Sequence, residues 1–255
     1  MIFIKTPQEI EKIKIASMAV GTILDEGKKL AVEGATAWDF EVMAERVLRE
    51  FKCKPAFKGY NGYPYITTVS INEEVIHGFP LRNKVLKKGD IVSLDVGAIY
   101  EGYYGDGAYT YIVGETDEIG EKLVNVTKRA LEIAIETVKD GVRLGDVSYS
   151  IQSFVEENGF GIVRDFVGHG VGRRLHEDPQ IPNYGKKGTG IILKAGMTLA
   201  IEPMVTEGGW HVEILDDGWT VVTVDGKRAA HFEHTILVKK DGAEVLTLRG
   251  DTVVE

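Results

Sequence analysis

Four carboxylates lie inside apolar, strand-like stretches of the sequence, where an acidic side chain needs a partner. Asp95 follows the apolar run Ile91–Leu94, and Asp106 lies on the next predicted strand. Glu202 and Glu233 occupy similar apolar runs further along the chain. A carboxylate among apolar residues is unstable unless it is hydrogen-bonded, paired or bound to a cation. These four residues are therefore the first candidates for chemistry.

Asp95 and Asp106 are predicted to lie on one face of a β-hairpin. The predicted strands Ile91–Tyr100 and Asp106–Val113 are joined by a turn near Glu101-Gly102. Side chains alternate across a strand, so Asp106 should emerge on the face that carries Asp95, directly or diagonally opposite it. Two carboxylates at that distance repel each other. Either one of them holds a proton or a cation lies between them.

A glycine-flanked histidine adds a nitrogen ligand to the acidic set. His169 lies in the glycine-rich stretch Gly168–Gly172, which we predict to be a loop, and His176 follows seven residues later. Taken singly, a strand carboxylate is more often ion-paired and a histidine beside glycine is more often structural. The complete set favours metal binding, because two divalent cations would neutralise four carboxylates. Oxygen-rich ligation with one imidazole suits Co, Mn, Fe(II) or Zn in a reactive centre. Two such cations can activate a shared water, so the set predicts hydrolysis.

The elements that must position these residues are two pairs of helices, each followed by strands. Capping signals and helical periodicity predict one helix from Thr6 to Gly34 and another from Thr36 to about Phe51. Two more helices are predicted at Asp117–Lys139 and Asp146–Asn158. The remaining predicted strands are Ile66–Ile71, Ile162–Val167, Thr198–Val205, Val212–Ile214, Trp219–Val224 and Phe232–Val238. The pattern indicates an α+β fold.

The chain repeats a short pattern at a fixed offset. Leu86-Lys87-Lys88-Gly89 begins nine residues before Asp95, and Leu193-Lys194-Ala195-Gly196 begins nine residues before Glu202. The offset between the two copies is 107 positions. We therefore expect one catalytic domain, 1–255, built from two pseudo-symmetric halves of about 1–114 and 115–255, although chance similarity is the alternative.

Composition excludes several classes of protein. The 255 residues carry a net charge of −9, which argues against general nucleic-acid binding. No apolar run is long enough to span a membrane, and the first residues lack the pattern of a secretory signal. The single cysteine, Cys53, cannot form an internal disulfide bond. We expect a cytoplasmic protein without nucleic-acid or membrane partners.

The combined motifs resemble those of type I methionine aminopeptidases. They are Ile76-His77-Gly78, Gly168-His169-Gly170-Val171-Gly172 and Ile201-Glu202-Pro203-Met204, together with Asp95, Asp106 and Glu233. The resemblance extends from the first helix to Leu248. It implies the pita-bread fold, in which two similar α+β halves pack helices on an antiparallel sheet.

The resemblance also implies a role for each motif residue. Asp95 would bind one metal ion, Asp106 and Glu233 would bridge two, and His169 and Glu202 would complete the second site. Glu202 would also act as the proton shuttle. His77 and His176 would contact the substrate amide and stabilise the tetrahedral intermediate. The methionine pocket and substrate contacts would comprise Phe57, Tyr60, Tyr63, Thr68, His77, Leu175, His176 and Trp219.

The implied reaction is removal of the first methionine from nascent polypeptides whose second residue is small. The resemblance suggests a monomer, and transient association with ribosomes would fit such a substrate. Two alternatives stay open. Xaa-Pro aminopeptidases and prolidases share the five ligands but generally carry an additional N-terminal domain. Binding proteins of the same fold have lost metal ligands, whereas all five positions here hold ligating residues.

Overall fold

Two capped helices begin the fold. The computed structural model describes residues 2–248, so both ends of the predicted 1–255 domain lie outside the described part. Helix α1 spans Pro7–Leu30 and starts with a capping box between Thr6 and Glu9. Helix α2 spans Ala37–Glu50, and Asp39 accepts a hydrogen bond from the backbone N–H of Thr36 at its start. Both helices lie where the sequence predicted them.

The second pair of helices repeats this arrangement. Helix α3 spans Glu118–Thr137, and its N-cap Asp117 accepts a hydrogen bond from the backbone N–H of Gly120. Helix α4 spans Leu144–Glu157. It begins two residues before the predicted start, because Leu144 packs into the core while Asp146 lies in the first turn.

The strands form one large antiparallel sheet and two small ones. Their bounds are β1 Lys54–Pro55, β2 Thr67–Ile71, β3 Glu74–Ile76, β4 Ile91–Tyr100, β5 Tyr103–Ile112, β6 Gly161–Ile162, β7 Gly168–Gly170, β8 Glu177–Ile181, β9 Thr198–Ile201, β10 Met204–Thr206, β11 Val212–Ile214, β12 Val221–Thr223, β13 Ala229–His231, β14 Glu233–Val238 and β15 Ala243–Val245. The large sheet has the order β1-β4-β5-β14-β9-β7-β8, with β2 on β4 and β15 on β14. The small sheets are β13-β10-β6 and β11-β12-β3. The α+β prediction is confirmed.

Each helix pair covers its own part of the large sheet. Helices α1 and α2 pack on β2, β4 and β5 around the fully buried Phe40 and Leu94. Helices α3 and α4 pack around Leu123, Ile151 and Ile236 on the side of β9 and β14. The helices therefore shield one face of the sheet, and the acidic residues project from the opposite face.

The offset of 107 positions recurs in the backbone. An isolated β-bridge joins Thr36 to Val85, and another joins Arg143 to Ile192. The N–H of Gly34 donates to the carbonyl of Leu86 at 3.0 Å, and the N–H of Gly141 donates to the carbonyl of Leu193 at 2.9 Å. Gly34 and Gly141 both adopt left-handed φ angles, of 87° and 88°. Related turns thus follow the first helix of each pair.

Three strand predictions need correction. The predicted strand Ile162–Val167 is reduced to the short strand β6, Gly161–Ile162. The predicted strand Thr198–Val205 is divided into β9 and β10, because Pro203 has no N–H to continue the ladder. The stretch around His169, predicted to be a loop, is the short strand β7 between β8 and β9. Its glycines allow close approach of the neighbouring backbone, since a Cβ at Gly168 would lie 2.5 Å from the carbonyl oxygen of Ala200.

Over residues 2–248, none of the helices combines the length and apolar character that a membrane span requires.

Candidate active site

Three carboxylates meet across neighbouring strands of the large sheet. Asp95 on β4 pairs with Ala108 on β5, and Glu233 on β14 pairs with the same Ala108 from the other side. Asp106 pairs with Gly97, two residues from Asp95, so the two aspartates are diagonal neighbours. The prediction that Asp95 and Asp106 share a face is confirmed. Residues from both ends of the chain thus converge on β5.

His169 and Glu202 complete the ring of polar groups. His169 pairs with Ala200 on β9, and Glu202 follows β9 directly. The Nε2 atom of His169 lies 3.4 Å from Oε1 of Glu202 and 3.8 Å from Oδ2 of Asp106. Ligand atoms of Asp106, His169 and Glu233 all lie within 4.8 Å of one another. The five predicted metal ligands therefore occupy one location.

The four carboxyl groups are buried so deeply that their ionised forms would be unstable without a compensating charge. Burial raises the pKa of Asp95 to about 7, well above its usual 3.8. Burial, followed by repulsion from neighbouring carboxylates, raises the pKa of Asp106, Glu202 and Glu233 well above their ordinary values. A cation among them would reverse these shifts by stabilising the ionised forms.

The orientation of His169 also indicates a cation. Its Nδ1 lies 2.9 Å from the carbonyl oxygen of Gly170, which can only accept, so Nδ1 carries the proton. Burial lowers the pKa of His169 to about 3, so the ring is neutral and Nε2 presents a lone pair. That lone pair faces the oxygens of Asp106 and Glu202. Acceptors facing acceptors are unfavourable unless a proton or a cation lies between them.

Two carboxylate oxygens give independent support for metal binding. Asp95 Oδ1 and Glu233 Oε1 are buried and have no hydrogen-bond partner within the described part of the chain. Buried polar atoms are rarely left unsatisfied. The residues present therefore fit a divalent-metal site, with oxygen ligands in excess and one oriented imidazole.

An apolar cavity of about 310 Å³ adjoins this cluster. Every residue that the sequence analysis placed in the site lines it, namely Phe57, Tyr60, Tyr63, Thr68, His77, Asp95, Asp106, His169, Leu175, His176, Glu202, Trp219 and Glu233. Asn61, Ile76, Phe166 and Val167 also line it. The sequence analysis assigned these four residues no role in the site, although Ile76 directly precedes His77 and Val167 directly precedes Gly168.

Aromatic rings form the wall of the cavity. Tyr63 is buried, its ring centroid lies 5.0 Å from that of Trp219, and its hydroxyl donates to the carbonyl of Thr67 at 2.9 Å. The Trp219 ring is also 6.3 Å from His77. Asp217 fixes the backbone of Trp219 by accepting its N–H at 2.8 Å. These rings suit a flexible, apolar, sulfur-containing side chain.

Two further predicted site residues, His77 and His176, line the same cavity. His77 follows β3 with a left-handed φ of 61°, a strained conformation that Gly78 stabilises through its hydrogen bonds to Val69 and Ser70. Desolvation lowers the pKa of His77 to about 4. His176 lies at the rim, and its ring centroid is 4.3 Å from that of His169. Both rings are positioned to contact a ligand in the cavity.

His231 is a further histidine near the cluster that the sequence analysis did not single out. It ends β13, is 2% exposed, and its Nε2 lies 3.8 Å from Oε2 of Glu202. The Thr110 hydroxyl fixes its backbone by donating to the His231 carbonyl and accepting the His231 N–H. Its position two residues before Glu233 was the sequence signal that could have identified it.

Comparison with known proteins gives a consistent result. The profile of metallopeptidase family M24 matches residues 11–240. A methionine aminopeptidase of Clostridium acetobutylicum is 48% identical over 248 residues, covering 97% of this chain and 99% of that protein. A methionine aminopeptidase of Escherichia coli K12 is 41% identical over 254 residues, covering 99% of this chain and 96% of the relative.

Solved structures give the same grouping. A methionine aminopeptidase from Thermotoga maritima superposes with a TM-score of 0.96 at 63% identity, over 97% of this chain and 99% of the other. A prolidase from Pyrococcus furiosus superposes with a TM-score of 0.75 at 25% identity, over 96% of this chain and 65% of the prolidase.

Proposed function

Because the chain belongs to metallopeptidase family M24, with the pita-bread fold of that family, we propose that it is a methionine aminopeptidase. Its substrates would be nascent proteins and peptides that begin with methionine and have a small second residue. The observation that carries the proposal is the convergence of four buried carboxylates and an oriented imidazole beside an aromatic-walled cavity. The proposed setting is the cytoplasm, as a monomer that associates transiently with ribosomes.

The five converging residues would hold two divalent ions. The residues that would hold them are Asp95, Asp106, His169, Glu202 and Glu233. Co, Mn, Fe(II) and Zn all suit this ligand set. When bound, such ions would lower the pKa of a shared water and polarise the scissile carbonyl.

Side chains of the protein would transfer the protons of the reaction and donate hydrogen bonds to the substrate. Glu202 would take a proton from the attacking water and deliver it to the leaving amine. His77 and His176, which line the same cavity, would donate hydrogen bonds to the substrate amide and to the oxygen that becomes negative. The proximity of Glu202 to His169, at 3.4 Å, keeps the carboxylate next to the reacting centre.

The aromatic wall would select the methionine side chain. Tyr63, Trp219 and Phe57 surround the cavity with ring faces and edges, which contact a thioether favourably. Leu175 is 3% exposed and closes the wall near His176. Proline-specific activity is the second candidate, and the higher identity to methionine aminopeptidases than to the prolidase argues against it.

The test compares two substrates on one preparation. After exhaustive chelation we expect release of methionine from Met-Ala peptides to stop, and Mn, Fe(II) or Co to restore it. Ala-Pro peptides should remain uncleaved. Activity that survives complete metal removal, or a preference for Ala-Pro, would overturn the proposal.

Glu202 is tested by substitution. Glu202→Ala should lower kcat by orders of magnitude, and the chain should still fold because repulsion among the carboxylates is relieved. Glu136→Gln is the matched control, since Glu136 pairs with Arg129 on the exposed face of α3. A Glu202→Ala enzyme with a near-normal rate would remove Glu202 from the mechanism.

A further inference from the structure

A hydrogen bond joins the two sides of the cleft at its rim. The hydroxyl of Tyr60 lies 2.7 Å from Nδ1 of His176, and the two ring centroids are 5.1 Å apart. Tyr60 precedes β2, whereas His176 precedes β8, so the bond links segments 116 positions apart. Both side chains are exposed, and both line the cavity.

The segment that carries Tyr60 is held in a tight, unusual turn. Gly59, Asn61 and Gly62 all have left-handed φ angles, of 89°, 48° and 88°. The Gly59 N–H donates to the Tyr63 carbonyl at 2.7 Å, and the Tyr63 N–H donates to the Tyr60 carbonyl at 2.9 Å. This turn sends the Tyr60 ring across the cleft and leaves the buried Tyr63 in the wall.

The segment that carries His176 is fixed by a buried carboxylate. Glu177 accepts the backbone N–H groups of Arg173 and Arg174 at 2.5 and 3.0 Å. Its other oxygen accepts a hydrogen bond from the Lys5 ammonium at 2.5 Å. With both backbones held by these hydrogen bonds, the hydroxyl–imidazole contact orients the His176 ring.

We propose that Tyr60 is a positioning residue for His176. The Tyr60 hydroxyl donates a hydrogen bond to Nδ1 of His176, which keeps the ring proton on Nε2 for contact with the substrate. The Nε2 atom makes no hydrogen bond within residues 2–248, so it is left for a ligand. The inference rests on the proposed function, because it assigns a reason for the orientation of a proposed substrate-binding group.

The electrostatics of the cleft favour this proton position. The ring of His176 stands 76° to that of His169, at the edge of a cluster that already contains four carboxylates and the His169 lone pair. An Nε2–H group adds a donor to this acceptor-rich region, whereas an Nε2 lone pair would add another acceptor. Desolvation raises the pKa of Tyr60, so the phenol keeps the proton that it donates. A peptide in the cleft would shield the exposed hydrogen bond from water and strengthen it.

The direct test is the tautomer of His176. The full chain, labelled with ¹⁵N at histidine and loaded with diamagnetic zinc, is observed by NMR, and the His176 signals are assigned by their loss in His176→Gln. We expect Nε2 to be protonated and Nδ1 to be an unprotonated acceptor. In Tyr60→Phe the Nδ1 signal should shift towards that of a nitrogen without a hydrogen bond. Protonated Nδ1, or spectra identical in Tyr60→Phe, overturns the proposal.

Steady-state kinetics distinguish a positioning role of Tyr60 from a role in which its ring only lines the cavity. Tyr60→Phe keeps the ring, so we expect kcat for Met-Ala peptides to fall about tenfold, equivalent to about 1.4 kcal/mol, with KM within about threefold. Tyr103→Phe is the matched control, since it removes a hydroxyl bonded to Glu9 outside the cleft, and should leave kcat unchanged. An unchanged kcat in Tyr60→Phe contradicts the proposal. If no variant releases methionine, the proposed function fails, and the NMR result still decides the tautomer.

Discussion

Removal of metal should make the stability of the chain fall as the pH rises through neutrality. In the absence of a cation, burial raises the pKa of Asp95 to about 7 and holds the pKa values of Asp106, Glu202 and Glu233 well above their ordinary values. The folded metal-free chain therefore retains protons that the unfolded chain has released above pH 5. Stability contributed by such groups is present at low pH and is lost as the pH rises through the folded-state pKa values.

The buried histidines determine the pH window in which this effect can be seen. The pKa of His77 is lowered to about 4, and those of His169 and His231 are lowered to about 3, in each case mainly by desolvation. Histidines of this kind stabilise the fold at high pH and lose that contribution as the pH falls below about 6.5. Their effect opposes that of the carboxyls up to about pH 7.5, one unit above the pKa of histidine in the unfolded chain, and is nearly constant above that pH.

The expected magnitude follows from proton linkage. Each proton held by the folded chain and absent from the unfolded chain lowers the free energy of unfolding by about 1.4 kcal/mol per pH unit. Between pH 7.5 and 8.5 the histidines contribute little and the retained protons belong to the four-carboxyl cluster, so we expect a fall of about 1 kcal/mol per pH unit. A bound cation keeps the carboxylates ionised and should remove most of this slope.

The assay is urea denaturation at several pH values between 7.5 and 8.5, with chelator or with added manganese. Asp95→Asn/Glu233→Gln removes two of the titrating groups and should reduce the slope of the metal-free chain. Glu136→Gln, on the exposed face of α3, should leave that slope unchanged. A metal-free chain whose stability stays constant or increases across this range would refute the reasoning.

Three further substitutions test the fold and the pocket. A methyl group added by Gly97→Ala would place Cβ 2.8 Å from Phe57 Cε1, so we expect KM for Met-Ala peptides to increase several-fold in steady-state assays, and an unchanged KM would be inconsistent. Phe40→Ala opens a cavity at a fully buried site and should lower the free energy of unfolding by about 3–5 kcal/mol in urea. A loss below 1 kcal/mol would place Phe40 outside the core. Lys5→Met leaves the buried Glu177 carboxylate without its cation, for an expected loss of about 3–5 kcal/mol by the same measurement, and wild-type stability would contradict it.

Periodicity and capping signals predicted the elements that position the site. The strand Ile91–Tyr100 is observed with the predicted bounds, and the hairpin to Asp106 turns at Glu101-Gly102. These predictions succeeded because both signals are local in the sequence: an almost continuous apolar run forms the strand, and Glu101 and Gly102 adopt the left-handed turn conformation. The set of acidic residues in apolar runs was similarly readable, since charge in such a run requires a compensating partner.

Contacts between residues far apart in the sequence were harder to predict. Strand β7 has only the residues Gly168-His169-Gly170, and it forms because β8 and β9 supply partners on both sides. The contact between Tyr60 and His176 depends on two separate loops whose shapes no periodic pattern describes. His231 approaches Glu202 because β13 pairs with β10. The predicted strands did not include β13. The division into two halves of about 1–114 and 115–255 stays a prediction.

The location of the metal ions tests the central claim most directly. Crystals grown with manganese should give two anomalous scattering peaks about 3.5–4 Å apart, with Asp106 and Glu233 coordinating both ions. Asp95 should contact one peak, and His169 and Glu202 the other. The absence of any peak among these residues, or ions bound only elsewhere on the chain, would contradict the account.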